Sequence, residues 1–210
     1  MKYFFCNMAI LLALFISFGC ATPHVNIRTF TDPSIQTSAI KNIAILPIRN
    51  SRILPGESNE MIRALTREIS KLNPNVSILT NVRAIELLNK NNMTEKYSDF
   101  LRDYATSGIP NIKVLKEIGQ ILTVDAILQG EVFDISKQNG HYPGVRAYTS
   151  LSLRYYLLST IKGNVLWESA CSVSVQASGT VWAHPPPIIE VINIAQDNIL
   201  TDIPLLAESN

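Results

Sequence analysis

The chain has 210 residues, of which 47% are apolar, and its 18 basic and 17 acidic side chains leave a formal net charge of +1. A nearly neutral chain has no global positive field to attract nucleic acids, so electrostatically driven binding of DNA or RNA is excluded. The length suits one well-buried domain, and a protein is the expected kind of partner.

The first twenty residues have the composition of an export signal. Lys2 precedes an apolar run at 8–18, and Gly19-Cys20 follows directly. Secretory signals combine a basic start with about 7–15 apolar residues, whereas a membrane span needs about 20. The segment is similar to a bacterial lipoprotein signal, so we predict a signal peptide at 1–19 and lipid attachment at Cys20. A plain cleaved signal and an uncleaved amino-terminal anchor are the alternatives.

Residues 20–41 are predicted to be a flexible tether behind the lipidated cysteine, because they contain two prolines and several Ser and Thr residues without sustained periodicity. As a coil, the segment spans about 25 Å, which keeps the domain close to its membrane. Cys6 leaves with the signal and Cys20 carries the lipid, so Cys171 has no disulfide partner. The alternation around Cys171 predicts that its thiol points into the core.

The first half of the domain is predicted to begin with alternating strands and helices and to continue with helices. A continuous apolar run after Lys41 is typical of a strand buried on both faces. Asn81 and Asn111 are predicted to cap helices, the first of which buries Val82, Ile85 and Leu88. The predicted elements are strands at 42–48 and 76–79 and helices at 58–72, from 81, at 94–107 and at 112–122.

The second half of the domain is predicted to consist of three strands and a final helix that begins at Ile188. The strands occupy about 124–135, 147–157 and 165–176, with turns at Asn139-Gly140, Pro143-Gly144 and 162–164. In the middle strand, Leu151, Leu153 and Tyr155 alternate with polar residues, so only one face is expected to be buried. The third strand is expected to turn Val165, Trp167 and Cys171 to that same face.

The predicted fold class is therefore α/β, a single domain at 42–200 followed by a tail at 201–210. The sheet is mixed, in the order β-α-β-α-α-α-β-β-β-α, and it ends in an antiparallel three-strand meander packed by helices. Gly130 interrupts a β-rich run, and a bulge is favoured there over the close approach of another backbone.

A search for catalytic and metal-binding patterns identifies none. The sequence lacks GxSxG, HExxH, GxxxxGK[ST], GxGxxG and CxxC patterns, and His24, His141 and His184 are scattered. The acidic pairs Glu57/Glu60 and Asp99/Asp103 have helical spacing and are interpreted as solvated helix surface. We predict no enzyme activity, no cofactor and no metal site.

A candidate interaction surface is formed by residue types that are enriched at protein interfaces. Tyr148, Arg154 and Tyr156 are predicted to project from the outer face of the middle strand, and Trp182 is assigned to the same surface. The alternative is that helices cover this face and bury the aromatic side chains.

Several segments together resemble one superfamily. They are KNIAILPIRN at 41–50, Pro55-Gly56, IGQILTVDAILQGEVFD at 118–134, SLSLRYYLLST at 150–160 and GNVLWES at 163–169. In this order they resemble the curli-assembly and secretion lipoprotein superfamily, which is related to the amino-terminal domain of the Tol-system periplasmic protein and to penicillin-binding-protein activator lipoproteins. The resemblance implies an α/β domain and a role in envelope assembly or secretion through protein contacts.

The functional expectation is a non-catalytic lipoprotein that binds another envelope protein or itself. Ala21 follows the cysteine, and in the lipoproteins that the signal resembles an Asp there favours the inner membrane, so we expect anchoring in the outer membrane, facing the periplasm. The alternatives are an oligomeric ring or accessory subunit of a secretion channel, and a module that binds a small molecule or glycan.

Overall fold

The computed structural model describes residues 23–37, 40–49, 55–141, 145–178, 183–201 and 203–204. One six-stranded sheet is packed by helices on both faces. The strands are β1 (His24–Thr31), β2 (Asn42–Ile45), β3 (Ser77–Leu79), β4 (Ala126–Gln138), β5 (Tyr148–Ser159) and β6 (Val165–Gln176). The helices are α1 (Pro55–Leu72), α2 (Asn81–Lys90), α3 (Thr94–Ser107), α4 (Ile112–Leu122) and α5 (Ile188–Leu200), and a short 3-10 helix covers Pro33–Thr37.

The sheet is mixed, and its spatial order is β1-β6-β5-β4-β2-β3. β4, β5, β6 and β1 pair antiparallel, whereas β2 pairs parallel with both β3 and β4. Short connections suffice between antiparallel neighbours, and the parallel step from β2 to β3 uses α1 as its crossover. The predicted α/β fold class, the mixed sheet and the carboxyl-terminal meander are confirmed.

β1 lies inside the segment that we predicted to be a flexible tether, so that prediction is wrong for residues 24–31. The strand pairs with β6 along its full length, from His24 opposite Ser174 to Thr31 opposite Trp167. Val25 and Ile27 pack against the core, which is the period-two pattern of a half-buried strand. Only two apolar residues carry that pattern, and a proline lies on either side of them. The sequence therefore favoured a tether over a strand.

One face of the sheet is covered along its length by α1 and α5. The strands contribute alternate residues of β5 and β6 to this core, among them Leu153, Tyr155, Trp167 and Cys171. The helices contribute the apolar stripes Met61, Ile62, Leu65 and Ile69 of α1 and Ile188, Val191, Ile192, Ala195 and Ile199 of α5. The predicted inward rows of the two strands are therefore confirmed from Leu151 to Leu157 and from Trp167 to Val175.

The opposite face is covered by α2, α3 and α4 over only half of the sheet. Beneath these helices lie Ala44, Leu46, Ile127, Tyr156 and Leu158. The expectation that β5 buries one face only is thus wrong at its carboxyl-terminal end, because the three helices continue the core over Tyr156 and Leu158. The amino-terminal half of β5 follows the expectation, with alternating buried and half-buried residues.

Two β-bulges reset the alternation of the strands. Between β4 and β5 the register shifts at Phe133, and between β5 and β6 it shifts so that Leu166 has no partner. The second bulge places Val165 against the α2–α4 side, which corrects its predicted position beside Trp167. At Gly130 the pairing is regular, and an added Cβ would lie 2.6 Å from a ring carbon of Tyr155. The favoured bulge is therefore wrong at Gly130, and the group that packs closely there is the side chain of Tyr155 and not another backbone.

The helix caps and faces are partly as predicted. The side chain of Asn111 accepts a hydrogen bond from the Val114 N–H at 3.3 Å, which confirms it as the cap of α4. The cap of α2 is Thr80 and not Asn81, and Val82 is 64% exposed because Ala84 and Leu88 form the buried stripe instead. No helix of the described residues is long and apolar enough to cross a bilayer.

The complete burial of Trp167 predicts a large effect of truncation. Trp167→Ala is expected to lower the free energy of unfolding by about 3–5 kcal/mol, because it leaves a cavity that the surrounding strands and helices cannot fill. Urea unfolding of residues 21–210 measures this loss. Ile161→Ala, at an exposed position in the β5–β6 turn, is the control and should stay within about 0.5 kcal/mol. Equal effects would show that the inward row is misassigned.

The position of β1 predicts that residues 24–31 contribute to stability. A chain that begins at residue 32 is expected to be less stable than one that begins at residue 21 by about 2–4 kcal/mol, since Val25 and Ile27 lose their core contacts and β6 becomes an edge. Thermal unfolding of the two chains measures the difference. A flexible tether would leave the melting temperature unchanged.

Candidate functional site

Half of one sheet face carries polar side chains that no helix of the described residues covers. We call it the open sheet face. It includes the alternate residues of four neighbouring strands that point away from α1 and α5, among them Asn26, Arg28, Asp134, Ser136, Ser150, Ser152, Ser172 and Ser174. The hydroxyls of Ser152 and Ser172 lie 3.1 Å apart across two strands. The face is polar and four strands wide.

Arg154 lies where the open sheet face meets the helix-covered half, and it is held by two carboxylates from neighbouring strands. Its Nη2 donates to Glu131 Oε2 at 2.7 Å and its Nη1 donates to Glu168 Oε1 at 3.2 Å. The other oxygen of Glu131 accepts from Arg49 Nη1 at 3.0 Å. The side chains of Arg154 and Glu131 are only 18% and 10% exposed. The four charges balance, which is the condition for keeping ionised groups partly buried.

Three aromatic rings surround the guanidinium of Arg154. Its central carbon lies 4.9 Å from the ring centroid of Phe133, 5.2 Å from that of Tyr156 and 6.0 Å from that of Tyr104. These distances lie within the range of cation–π attraction. The bulge in β4 places Phe133 here, and its side chain is 50% exposed. The site therefore presents an apolar ring beside a partly buried positive charge.

The protonation states of the site are set by burial and by the ion pairs. Burial by itself would lower the pKa of Arg154, but the hydrogen bond to Glu131 and the charges of Glu168 and Glu131 raise it above the ordinary value. Burial, followed by the charge of Glu168, raises the pKa of Tyr104 to about 12. The Tyr104 hydroxyl stays protonated at neutral pH and donates to Glu168 Oε2 at 3.4 Å.

A buried polar network supports the site from beneath α3. The Tyr97 hydroxyl donates to Gln129 Oε1, and Gln129 Nε2 donates to the carbonyl oxygens of Pro47 and Gly130, both at 2.7 Å. Burial, followed by the neighbouring Tyr156, raises the pKa of Tyr97 well above its ordinary value. Because all these groups are paired, Gln129 is tolerated in the core and holds α3 in register with β4.

The predicted surface residues divide into three groups. Arg154 and Tyr156 come together, but Tyr156 is buried beneath Tyr104, whose ring centroid is 5.0 Å away. Tyr156 is thus in the state of the alternative that we weighed, covered by a helix, and no partner can reach it. Tyr148 lies opposite Gln176, six residues from Arg154 along β5, which is about 20 Å. Trp182 and Cys20 lie outside the described residues.

The three side chains that contact Arg154 and form the site with it were not predicted from the sequence. Glu131 and Glu168 are the cross-strand neighbours of Arg154 and Tyr156, and Phe133 reaches the site only through the bulge. A usable signal was present, because Gln129 and Glu131 alternate with apolar residues in β4 and their polarity requires buried partners. The bulge itself has no comparable signal in the sequence.

The other side chains that could in principle be reactive or catalytic have structural roles. Cys171 is buried as predicted, and burial raises the pKa of its thiol to about 11. Glu60 pairs with Arg63 at 2.7 Å and Asp99 with Arg102 at 2.8 Å, as expected of solvated helix surfaces. Among the described residues, no group of three His, Cys, Asp or Glu side chains is placed to hold a metal ion.

A cleft beside α4 is lined in part by the polar side chains of Lys116, Gln120 and Asp125. The carboxylate of Asp125 accepts hydrogen bonds from the backbone N–H groups of Lys41 and Asn42, each at 2.9 Å. These bonds join the start of β2 to the start of β4. The polarity of the cleft thus has a structural explanation, and the small-molecule alternative gains no support from it.

Comparison with known proteins identifies relatives by structure alone, because no protein-family model and no curated protein matches the sequence. The fold is similar to that of the PelC dodecamer from Paraburkholderia phytofirmans, with 12% identity over 89% of this chain and 100% of that chain and a TM-score of 0.51. It is less similar to the lipoprotein GNA1162 from Neisseria meningitidis, with 15% identity over 77% and 99% of the chains and a TM-score of 0.49.

A third similar structure is the LpoB C-terminal domain from Salmonella enterica, with 10% identity over 64% of this chain and 83% of that chain and a TM-score of 0.38. At such identities the comparison with PelC establishes a shared fold and nothing about activity. The predicted membership of the curli-assembly and secretion superfamily stays a prediction.

The ion pairs of Arg154 predict that its loss destabilises the fold more than the loss of an exposed arginine. Arg154→Ala is expected to lower the free energy of unfolding by about 2–4 kcal/mol, because Glu131 is left partly buried with only Arg49 as partner. Arg102→Ala removes an exposed ion pair on α3 and should cost at most about 1 kcal/mol. Urea unfolding compares them, and equal losses would contradict the desolvated site.

Proposed function

We propose that this protein is a non-catalytic lipoprotein of the bacterial cell envelope, anchored in the outer membrane through Cys20 and facing the periplasm. Its folded domain serves as a protein-binding module in envelope assembly or secretion. The signal-like segment at 1–19 and the cysteine that follows it support the anchor. The open sheet face supports the binding role, because it offers a broad accessible surface beside a rigid aromatic and charged site.

The observation that carries the binding role is the half-exposed ring of Phe133 beside the partly buried Arg154. Aromatic residues and arginine are enriched at the centres of protein interfaces, and they contribute most where they are held rigid and surrounded by polar groups. Here two carboxylates and two tyrosines fix the guanidinium, so a partner meets a preorganised surface. Serine side chains flank it and are easily desolvated.

The second candidate is a subunit of an oligomeric ring, and two observations favour it. The fold is shared with PelC, which forms a dodecamer in its solved structure. In addition, β1 is an eight-residue edge strand with no strand on its outer side among the described residues. A long edge with unpaired backbone groups is a template for pairing with another chain. In this case the partner is a second copy of the chain.

The anchor is tested by comparing the native protein with Cys20→Ala in its own cell. Acyl mass on the native chain and its retention in the outer-membrane fraction are expected, and the variant should lose both because no thiol remains to carry the lipid. Intact mass spectrometry and membrane fractionation provide the measurement. If mass and fractionation are the same for both chains, Cys20 is not the anchor.

The binding surface is tested in the same cells by chemical cross-linking of the native chain and of Phe133→Ser. A specific cross-linked species should disappear in this variant and persist in Val82→Ser, which removes an equally exposed apolar side chain from α2. Sedimentation of the purified chain separates the two candidates, since a multimer of this chain supports the ring and a monomer counts against it. Cross-links unaffected by Phe133→Ser would place the binding surface elsewhere.

A further inference from the structure

The path of the chain into the domain limits how the domain can lie on its membrane. β1 begins at His24, four residues after Cys20. Four residues extend at most about 14 Å, so a lipid on Cys20 holds the start of β1 near the headgroups. The intervening segment is too short to let the domain turn over. The start of β1 must therefore lie near the bilayer.

The end of the sheet at which β1 starts is defined by its pairing. His24 lies opposite Ser174, near the carboxyl end of β6, and the start of β5 lies beside it because Tyr148 pairs with Gln176. The described residues at this end are 23–26, 137–141, 145–148, 174–178 and 183–187, and we call them the entry end. Arg146 donates to Gln176 at 3.2 Å, and the Gly140 N–H donates to the Ala183 carbonyl at 3.1 Å.

The entry end carries basic residues and no carboxylate. Lys137 and Arg146 lie in its segments, together with all three histidines of the chain, whereas none of its described residues is Asp or Glu. The nearest carboxylates along the chain are Asp134 in β4 and Glu190 in the first turn of α5. Because the chain as a whole is nearly neutral, the excess of basic residues is local to these segments.

We propose that the entry end docks on the surface of the bilayer that holds the lipid anchor, with Lys137 and Arg146 against the phosphates of anionic headgroups. The inference rests on the proposed lipid attachment at Cys20. Salt screens the attraction between basic residues and an anionic surface at distances beyond about 10 Å, so basic residues closer than this are attracted to the surface. The short connection keeps the start of β1 within about 14 Å of Cys20, so the entry end can come this close to the headgroups.

The docking orients the remainder of the molecule. β5 runs from the entry end to the turn that joins it to β6 and has 12 residues, so this turn lies about 40 Å farther from the bilayer than the entry end. The strands of the sheet then run roughly perpendicular to the plane of the membrane. The open sheet face then points sideways, where a second protein in the same leaflet, or a second copy of the chain, can reach it.

The orientation is tested with the full acylated chain in vesicles of phosphatidylethanolamine and phosphatidylglycerol. A fluorescent label is attached to Asn139→Cys, at the entry end, or to Ile161→Cys, in the far turn; both positions are exposed and the native Cys171 is buried. Quenching by lipids with a nitroxide on the headgroup is expected to be severalfold stronger at position 139. Equal quenching, or stronger quenching at position 161, overturns the orientation.

The role of charge is tested by repeating the measurement in Lys137→Gln/Arg146→Gln. The quenching ratio between positions 139 and 161 is expected to fall toward one, because each basic residue near the surface contributes about fivefold to binding. The control is Lys113→Gln/Lys116→Gln, which removes two exposed lysines from α4 and should leave the ratio unchanged. Equal ratios in both variants overturn docking by these two residues.

Intact mass read on the same samples separates the two proposals. An acylated chain with equal quenching at both positions overturns the orientation and leaves the proposed anchor in place. A chain without acyl mass overturns the anchor, and the orientation falls with it. Strong quenching at position 139 that does not depend on phosphatidylglycerol contradicts recognition of anionic headgroups and indicates another contact at the entry end.

Discussion

The unequal cover of the sheet is the constraint on which the rest of the structure depends. α1 and α5 bury one face along its length, whereas α2, α3 and α4 bury only half of the other. β4, β5 and β6 have 12 or 13 residues each and extend beyond the three helices. The strands therefore have continuous apolar sequence where helices lie on both faces, and they alternate apolar with polar residues where one face is open.

Arg154 lies at the boundary that this cover creates. Tyr104 of α3 packs above Tyr156, two residues farther along β5, and there the apolar cover ends. A charged side chain at that position loses part of its hydration, and it is stabilised there by ion pairs with Glu131, opposite it in β4, and with Glu168, in β6. The ion pairs connect β4, β5 and β6 at the edge of the helical layer, and they keep Phe133 in a defined position on the surface.

In the proposed arrangement on the membrane, the anchor and the binding surface share one element. β1 extends the sheet from which the open sheet face is built, and its first residue follows the lipidated cysteine by four positions. A partner that binds the open sheet face would meet it close to the bilayer, between the headgroups and the helical layer. A loose tether would allow many orientations, whereas a paired strand restricts them to one.

The sequence by itself determined the elements whose patterns are long and local. The apolar stripes of the helices, the cap at Asn111 and the inward rows of β5 and β6 were readable because their periods persist over many residues. The signal-like start and the absence of catalytic patterns also belong to the sequence. The tertiary structure alone decided which strands neighbour one another, and hence that Arg154, Glu131, Glu168 and Phe133 form one site. It also decided that residues 24–31 are a strand, because two apolar residues have little preference of their own until β6 and the core supply their partners. Cross-strand partners, bulges and the extent of helical cover arise from contacts between segments far apart in the chain, and no local pattern records them.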